Sequence, residues 1–419
     1  MSKLTLFHQV IKTMKNNLEI KEKWGKTILK DIVSDIVDNR GKTPPNNYLG
    51  GKKMIETYQI SRGSVYPLNG GKKQKYVDEE TFFSWFRSGH PKDNDILFTT
   101  VGEAVPQFCL VPKDNEFCIA QNLVALRFDE NKINPLFILY YFRQKKFIKE
   151  VINRMIITAQ PSIKIPHLLG IEMEIPKLLE QKEIASVLSS LDDKIELLKK
   201  QNETLEEIAK TIFKEWFIEF NFPNEKGQPY KSSGGKMIDS ELGKIPEEWN
   251  VGTVSDFIER QAISYRCDKK DLDEKGKIPI IDQGANGLYG YTNREADFKA
   301  NSRDPVVLFT NHTCNMWLLN YPFCAIQNVI PFKGGNGYNT VFAFYMTLGR
   351  VTFKEYKGHW PDFEYEKYVI SNVKLANNFV EIIKPFQQKL WDIKFQIQSL
   401  SKTKDILLPK LMNGEIRVK

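Results

Sequence analysis

Along two long stretches of this chain, positions spaced in alternating steps of four and three are apolar with one exception in each stretch, and the spacing never slips. The first stretch has ten such positions: Ile184, Leu188, Leu191, Ile195, Leu198, Asn202, Leu205, Ala209, Ile212 and Trp216. The second has ten more: Phe379, Ile383, Phe386, Leu390, Ile393, Ile397, Leu400, Lys404, Leu407 and Leu411. A period of 3.5 residues is typical of the seam between paired helices. The pattern predicts two long helices that pair antiparallel within one chain; an ordinary helical hairpin in a core is the alternative.

The two seams lie 195 residues apart at every position, which indicates an internal duplication. Asn202 and Lys404 are polar, so the two seams are not perfectly matched. Each seam follows a stretch of domain length that opens at a tryptophan, Trp24 or Trp249. The two stretches also share short motifs, such as Phe-Cys-Ile-Ala-Gln-Asn at 117–122 against Phe-Cys-Ala-Ile-Gln-Asn at 323–328. We therefore expect two modules on one scaffold that differ in their loops.

These patterns divide the chain into six segments. They are an N-terminal extension 1–23, a first module 24–175, a central helix 176–220, a linker 221–244, a second module 245–373, and a distal helix with the C-terminal tail 374–419. The linker is predicted from its proline, glycine and serine content. Buried strands are predicted at 95–100 and 117–128. Pro385 indicates a kink or a late start of the distal helix, and Pro409 its last turn.

Length and composition favour a globular protein of two or three domains. The chain has 419 residues, of which 41% are hydrophobic and 27% charged, within the usual range for folded domains. We find no apolar run of roughly 18 residues that could span a bilayer and no signal-like N-terminus, so we expect a cytosolic protein. Five cysteines without zinc-like spacing are expected to be reduced: Cys109, Cys118, Cys267, Cys314 and Cys324. The net charge of +8 permits a polyanionic partner without requiring one.

Motifs for catalysis are missing from the sequence. It contains no dinucleotide-binding or phosphate-binding glycine loop, no His-Glu-x-x-His, no Gly-x-Ser-x-Gly and no amino-methyltransferase motif. One weak nuclease-like fragment occurs, Glu355-Tyr-Lys357 with Asp304 far upstream. Patterns this short arise often by chance, so a solvated strand face is the favoured interpretation. We predict no catalytic residues and no metal site.

Two loops have the composition of a nucleic-acid interface. The first is rich in glycine, tyrosine and basic side chains, which suit phosphate contacts; its basic residues are Arg40, Lys42, Lys52, Lys53, Arg62, Lys72, Lys73 and Lys75. The second, 282–291, carries amide and tyrosine groups that can contact base edges; its candidates, with the basic residue that follows, are Gln283, Asn286, Tyr289, Tyr291 and Arg294. Either loop alone could be a solvated surface loop. Their occurrence on duplicated modules with paired helices favours DNA as the partner.

Five segments resemble the specificity subunit of Type I restriction-modification systems: 180–185 with 191–195, 208–217, 242–249 and 407–416. The first three resemble the central conserved region of that family, the fourth the start of its second target-recognition domain, and the last the end of its distal helix. The resemblance extends over nearly the whole chain from Lys15. The recognition loops are not expected to match.

The resemblance implies an α+β fold in which two similar mixed α/β target-recognition domains are separated by two long antiparallel coiled-coil helices, a pseudo-twofold tandem repeat. It implies that each domain recognises one half of a split, asymmetric site in double-stranded DNA. It also implies docking of two modification subunits, which bind S-adenosylmethionine, and of restriction subunits, which use ATP and Mg²⁺. This chain itself would bind no cofactor and would be non-catalytic.

Two other functions stay open from the residues alone: a standalone DNA endonuclease that uses Glu355 and Lys357, and a coiled-coil interaction protein without DNA. A further expectation concerns the start of the chain. Residues 1–13 are predicted to be dispensable, with Met14 as a possible start in cells. The helical spacing of Leu4, Phe7, Ile11, Met14 and Leu18 makes a docked helix the alternative.

Overall fold

The computed structural model describes residues 24–39, 41, 43–60, 74–102, 106–114, 116–157, 159–284 and 287–418. The chain divides into two compact units. Unit 1 comprises Met1–Glu196 with Ser399–Lys419, and unit 2 comprises Leu197–Gln398. The expectations for the N-terminal extension fall on residues outside the described part of the chain.

Unit 1 is built on β-sheets, and its antiparallel sheet has apolar side chains packed on both faces. Its elements are β1 (Gly25–Ile28), α1 (Leu29–Ile32), β2 (Val33–Asp38), β3 (Lys52–Ile55), β4 (Lys75–Val77), α2 (Glu79–Ser84), β5 (Ile96–Thr99), β6 (Phe108–Leu110), β7 (Phe117–Ile119), β8 (Leu123–Phe128), α3 (Pro135–Phe142), α4 (Lys145–Asn153), α5 (Ile165–Leu169) and β9 (Glu172–Ile175). An antiparallel sheet has the order β2-β8-β5-β6, and a mixed sheet has the order β4-β3-β7. Strands β1 and β9 pair separately.

The central strand β5 contributes to two of the hydrophobic cores of unit 1. All four of its residues are buried. Successive side chains of a strand point to opposite faces, so Ile96 and Phe98 join the core that contains α3, whereas Leu97 joins the core between the two sheets. The predicted buried strand at 95–100 is confirmed. The predicted strand at 117–128 is instead two strands, β7 and β8, because residues 120–122 form a turn between them.

Unit 2 repeats this plan. Its elements are β10 (Met237–Ser240), β11 (Gly243–Pro246), β12 (Asn250–Gly252), β13 (Ile258–Arg260), β14 (Arg266–Cys267), β15 (Ile278–Ile281), β16 (Leu288–Thr292), β17 (Val306–Thr310), β18 (Met316–Leu319), β19 (Cys324–Ile326), β20 (Val329–Gly334), α7 (Thr340–Thr347), α8 (Trp360–Tyr365) and β21 (Tyr368–Ile370). One antiparallel sheet has the order β13-β20-β17-β18, a mixed sheet has the order β14-β19-β15-β16, and β12 pairs with β21. The strand β17 alternates between two cores as β5 does. The shared topology confirms the predicted duplication on a mixed α/β scaffold.

The two long helices are continuous over 40 residues each. The central helix α6 spans Leu178–Phe217 and the distal helix α9 spans Val373–Met412. Every one of the twenty predicted seam positions is buried or half-buried. Asn372 caps α9, since its side-chain oxygen accepts a hydrogen bond from the backbone N–H of Leu375 at 2.9 Å. The late helix start suggested by Pro385 is therefore wrong, and Pro385 lies exposed within the helix.

Each unit contains part of both helices, packed antiparallel. In unit 1, Ile184 and Leu188 of α6 share a core with Leu411 and Met412 of α9. In unit 2, Phe213 of α6 contacts Phe379 of α9 edge to face, with ring centroids 5.7 Å apart, and Lys394 lies 3.8 Å from Glu206. Residue numbers therefore rise on one helix as they fall on the other within either unit. This agrees with the predicted antiparallel coiled-coil helices.

The predicted linker 221–244 is folded and belongs to unit 2. Strands β10 and β11 form a hairpin at its end. Near its start Phe222 is buried and stacks on Trp249, with ring centroids 5.3 Å apart. The side-chain oxygen of Asn224 accepts hydrogen bonds from the backbone N–H groups of Lys226 and Gln228. Glycine and proline therefore mark tight turns here rather than a flexible spacer.

Candidate nucleic-acid interface

The described lysines of the first predicted loop do not form one patch. Lys52 and Lys53 are consecutive on β3, so their side chains leave opposite faces of the sheet. Lys52 forms an ion pair with Glu116, and Lys75 Nζ lies 2.9 Å from Glu56 Oε1. The remaining candidates of this loop lie outside the described residues: Arg40, Lys42, Arg62, Lys72 and Lys73.

The ion pairs stabilise the charged forms of Lys52 and Lys75. The hydrogen bond and charge of Glu116 raise the pKa of Lys52, and Glu56 does the same for the pKa of Lys75. Their charge is balanced locally, which lowers the attraction that either has for a phosphate. Lys53 is exposed and has no ion pair among the described residues. Of the three lysines, it is the best placed to meet a polyanion.

An apolar tip stands beside this sheet and was not predicted as a site. The side-chain oxygen of Asn47 accepts hydrogen bonds from the backbone N–H groups of Leu49 at 2.7 Å and Gly50 at 3.1 Å. This turn presents Leu49, 98% exposed, next to Tyr48, 62% exposed. The tyrosine was visible in the sequence, and so was a turn signal, because Asn47 bonds backbone groups only two and three positions away.

The second predicted loop is the connection of the β15–β16 hairpin. Tyr289 and Tyr291 lie on the edge strand β16, and both are exposed. The register with β15 shifts at Tyr289, so the simple alternation of faces is interrupted there. Asn286 lies outside the described residues. Arg294 is held within the unit, because its guanidinium lies 3.7 Å from the centroid of the Tyr265 ring. These contacts place the two tyrosines at a sheet edge and keep Arg294 against its own unit.

Gln283 is tied to a second turn of unit 2. Its side-chain oxygen accepts a hydrogen bond from the backbone N–H of His312 at 3.0 Å, and its backbone carbonyl accepts one from the Thr313 hydroxyl at 2.9 Å. The turn at 311–315 was not predicted as part of a site. Sequence offered no signal for this pairing, since it uses backbone groups some thirty positions away.

The nuclease-like residues are engaged by separate lysines. Asp304 accepts a hydrogen bond from Lys333 Nζ at 2.6 Å. Glu355 lies 3.4 Å from Lys357, which also lies 3.3 Å from Asp362. Within the described ranges, no group of three or more histidine, cysteine or acidic side chains is arranged to hold a metal ion. The described part of the chain also has no helix long and apolar enough to cross a membrane.

Comparison with known proteins finds similarity to one kind of DNA specificity protein. Residues 21–207 match the family model described as Type I restriction modification DNA specificity domain. The Type I restriction enzyme MjaIX specificity subunit of Methanocaldococcus jannaschii is 28% identical over 305 residues, which cover 67% of this chain and 69% of that protein. The putative MjaX specificity subunit of the same organism is 24% identical over 440 residues, covering 96% and 95%.

A solved structure supports the fold independently of sequence. The crystal structure of the Type I restriction-modification S subunit from M. genitalium aligns with a TM-score of 0.60 at 16% identity, covering 94% of this chain and 98% of that one. The shared fold consists of two similar mixed α/β units with two paired long helices. This chain is similar to Type I restriction-modification specificity subunits, over residues 21–207 in the family model and over most of its length in the relatives.

Proposed function

We propose that this chain is the DNA-recognition subunit of a Type I restriction-modification complex and that each unit recognises one half of a bipartite, asymmetric site. The observation that carries the proposal is the duplication itself. Units 1 and 2 each combine a four-stranded antiparallel sheet with a mixed sheet, which has three strands in unit 1 and four in unit 2, yet their loops carry different side chains. Two related folds with different surfaces suit two different DNA sequences.

The helices supply a reason for a fixed gap between the half-sites. Both are continuous over 40 residues, and each contributes to both units. An α-helix rises by about 1.5 Å per residue and resists bending over short lengths, so we propose that the helix pair sets the length of the DNA spacer.

The partners and cofactors follow from the same proposal. We propose that the helices dock two modification subunits, which bring S-adenosylmethionine, and that restriction subunits with ATP and Mg²⁺ can join. In this proposal the chain contributes recognition and no catalytic group. The engagement of Asp304 by Lys333 and of Glu355 by Lys357 supports this over a standalone nuclease.

The test is to insert one heptad into α6 and one into α9 at matching positions, and to determine the methylated motif of the assembled complex. Seven residues add about 10 Å, or roughly three base pairs. The expected result is a longer spacer between unchanged half-sites. A motif whose halves change while its spacer stays fixed would contradict the proposal. A matched control, seven residues inserted into the exposed turn at 224–228, should leave the spacer as it is.

A further inference from the structure

Both units end their central strand with a buried threonine in the same arrangement. In unit 1, the hydroxyl of Thr99 accepts a hydrogen bond from the backbone N–H of Gln107 at 2.8 Å, and the Thr99 N–H donates to the Gln107 carbonyl at 2.9 Å. In unit 2, Thr310 makes the same two bonds with Asn315, at 2.8 and 2.9 Å. The two units thus share the position at which the chain leaves the sheet, while the side chains that follow differ.

The residue after each threonine is held on both sides by backbone hydrogen bonds. In unit 1, Thr100 donates its N–H to the Asn122 carbonyl at 2.9 Å and accepts from the Ile163 N–H at 2.9 Å. The segment that precedes Ile163, described over 156–157 and 159–162, is thereby attached to the end of β5, just before α5. We call such a segment the clamped segment of its unit.

Unit 2 forms the same clamp with different residues. Asn311 donates its N–H to the Asn328 carbonyl at 2.9 Å and accepts from the His359 N–H at 2.8 Å. The clamped segment of unit 2 is therefore 352–358, just before α8. Its sequence is Thr-Phe-Lys-Glu-Tyr-Lys-Gly, against Ile-Ile-Thr-Ala-Gln-Pro-Ser at 156–162. The backbone attachment is repeated while the side chains have diverged, as expected of a surface that determines specificity.

One aromatic residue of the unit 2 segment is exposed and yet held in place. Tyr356 is 83% exposed, and its ring stacks on that of His312 with centroids 5.0 Å apart and planes 14° apart. His312 is itself fixed, because its Nδ1 lies 2.8 Å from the Lys357 carbonyl and its backbone N–H donates to Gln283 Oε1. An exposed side chain that is oriented in advance loses little entropy when it meets a partner.

The hydrogen bonds also determine which polar atoms of His312 and Gln283 are donors and which are acceptors. Because a carbonyl only accepts, Nδ1 of His312 carries the proton, which leaves Nε2 as the other polar atom of the ring. Because Gln283 Oε1 accepts from the backbone, the Gln283 amide keeps its N–H groups for donation. A donor amide, an imidazole nitrogen and a phenol in one place can discriminate among base edges in the major groove. Lys354, exposed on the same segment, adds positive charge for the DNA backbone.

We propose that Gln283, His312 and Tyr356 form one base-reading cluster of unit 2, to which the clamped segment 352–358 contributes Tyr356. This proposal rests on the proposed function and specifies where unit 2 contacts its half-site. The fragment 355–357, which resembles a nuclease motif, would then present the ring of Tyr356 to DNA.

The experiment uses the full chain with its modification subunits and a duplex library in which each position of both half-sites is varied singly. The variants are Tyr356→Ala and His312→Ala. The matched control is Tyr365→Ala, because Tyr365 is 80% exposed on α8 and takes part in none of the clamp hydrogen bonds. Thermal unfolding midpoints are recorded for all of them. Tyr356→Ala is the safer variant, since it removes an exposed side chain.

We expect the two variants to lose discrimination by roughly 5- to 150-fold at one or two positions of a single half-site, the range for loss of one specific base contact. The other half-site and the Tyr365→Ala control should be unchanged. Equal weakening for all sequences, changes in both half-sites, or unchanged discrimination would overturn the proposal. A wild-type complex with no sequence preference would instead refute the proposed function itself.

Discussion

The Nζ atom of Lys404 lies 2.5 Å from Oδ1 of Asp192, and this ion pair joins α9 to α6 within unit 1. Oδ2 of Asp192 accepts hydrogen bonds from the Tyr140 hydroxyl at 2.8 Å and from Arg143 Nη1 at 3.1 Å. The Asp192 side chain is only 11% exposed. The lysine at a seam position therefore has a buried partner, and the pair fixes the register of the two helices at this point.

This cluster predicts unequal effects of removing its two ends. Asp192→Asn leaves Arg143 and Lys404 as neighbouring cations without an anion, so we expect a loss of about 3–5 kcal/mol in stability. Lys404→Met keeps Arg143 beside the carboxylate, so its cost should be that of one charged hydrogen bond, about 1.5–3 kcal/mol. The double variant should be no less stable than Asp192→Asn alone. Denaturant unfolding of the four proteins checks this, and strictly additive losses would contradict a shared cluster.

The same residue predicts a response to acid. Burial by itself would raise the pKa of Asp192, but the hydrogen bond and charge of Lys404, with Tyr140 and Arg143, hold it below its ordinary value. A carboxyl group with a lowered pKa in the folded state stabilises the fold above its unfolded value of about 3.9, and this contribution is lost as the pH falls through the folded pKa. Stability of the wild type should therefore fall below about pH 4. In Asp192→Asn the decline should be shallower, as measured by denaturant midpoints from pH 3 to 6. An equally steep decline would assign the acid response to other groups.

The helix seam predicts a sharp difference between two adjacent leucines. Leu198 is 2% exposed at a seam position, whereas Leu197 is 49% exposed beside it. Leu198→Asp buries an unpaired charge and should cost several kcal/mol, while Leu197→Asp should change stability by less than about 0.5 kcal/mol. Ile393→Asp, at a fully buried position of α9, should behave as Leu198→Asp does. Similar unfolding midpoints for all three variants would mean that the seam does not support the fold.

How far the sequence predicts this structure depends on the kind of contact. The strict period of the seams was enough to predict both helices, because the apolar character of each seam position can be seen in the sequence without knowing its partner. The partner of Lys404 could not be predicted, since Asp192 lies beside the seam position Leu191 on the other helix. The backbone attachment of the clamped segments could not be predicted for a related reason. Ile163 and His359 make equivalent hydrogen bonds through their backbone N–H groups, and any residue except proline can do this.

The lysines of the first loop were predicted as a group from composition alone. Composition does not show which face of a strand a side chain leaves or whether an acid lies across from it, and both points separate Lys52 from Lys53. We expect Lys53→Gln to weaken DNA binding equally for all sequences. The slope of the logarithm of the binding constant against the logarithm of the salt concentration should fall in magnitude by up to about 0.9. Lys52→Gln should do less, because Glu116 already balances that charge. Binding isotherms at several salt concentrations check both variants, and a loss confined to the cognate site would instead make Lys53 a base-reading residue.

The most direct test of the central claim is to replace residues 249–373 with the corresponding domain of a specificity subunit of different specificity, and to sequence the methylated motif of the assembled complex. If each unit recognises its own half-site, one half of the motif should take the donor's sequence while the other half stays as it was. A change in both halves, or in neither, would contradict the claim that recognition is divided between the two units.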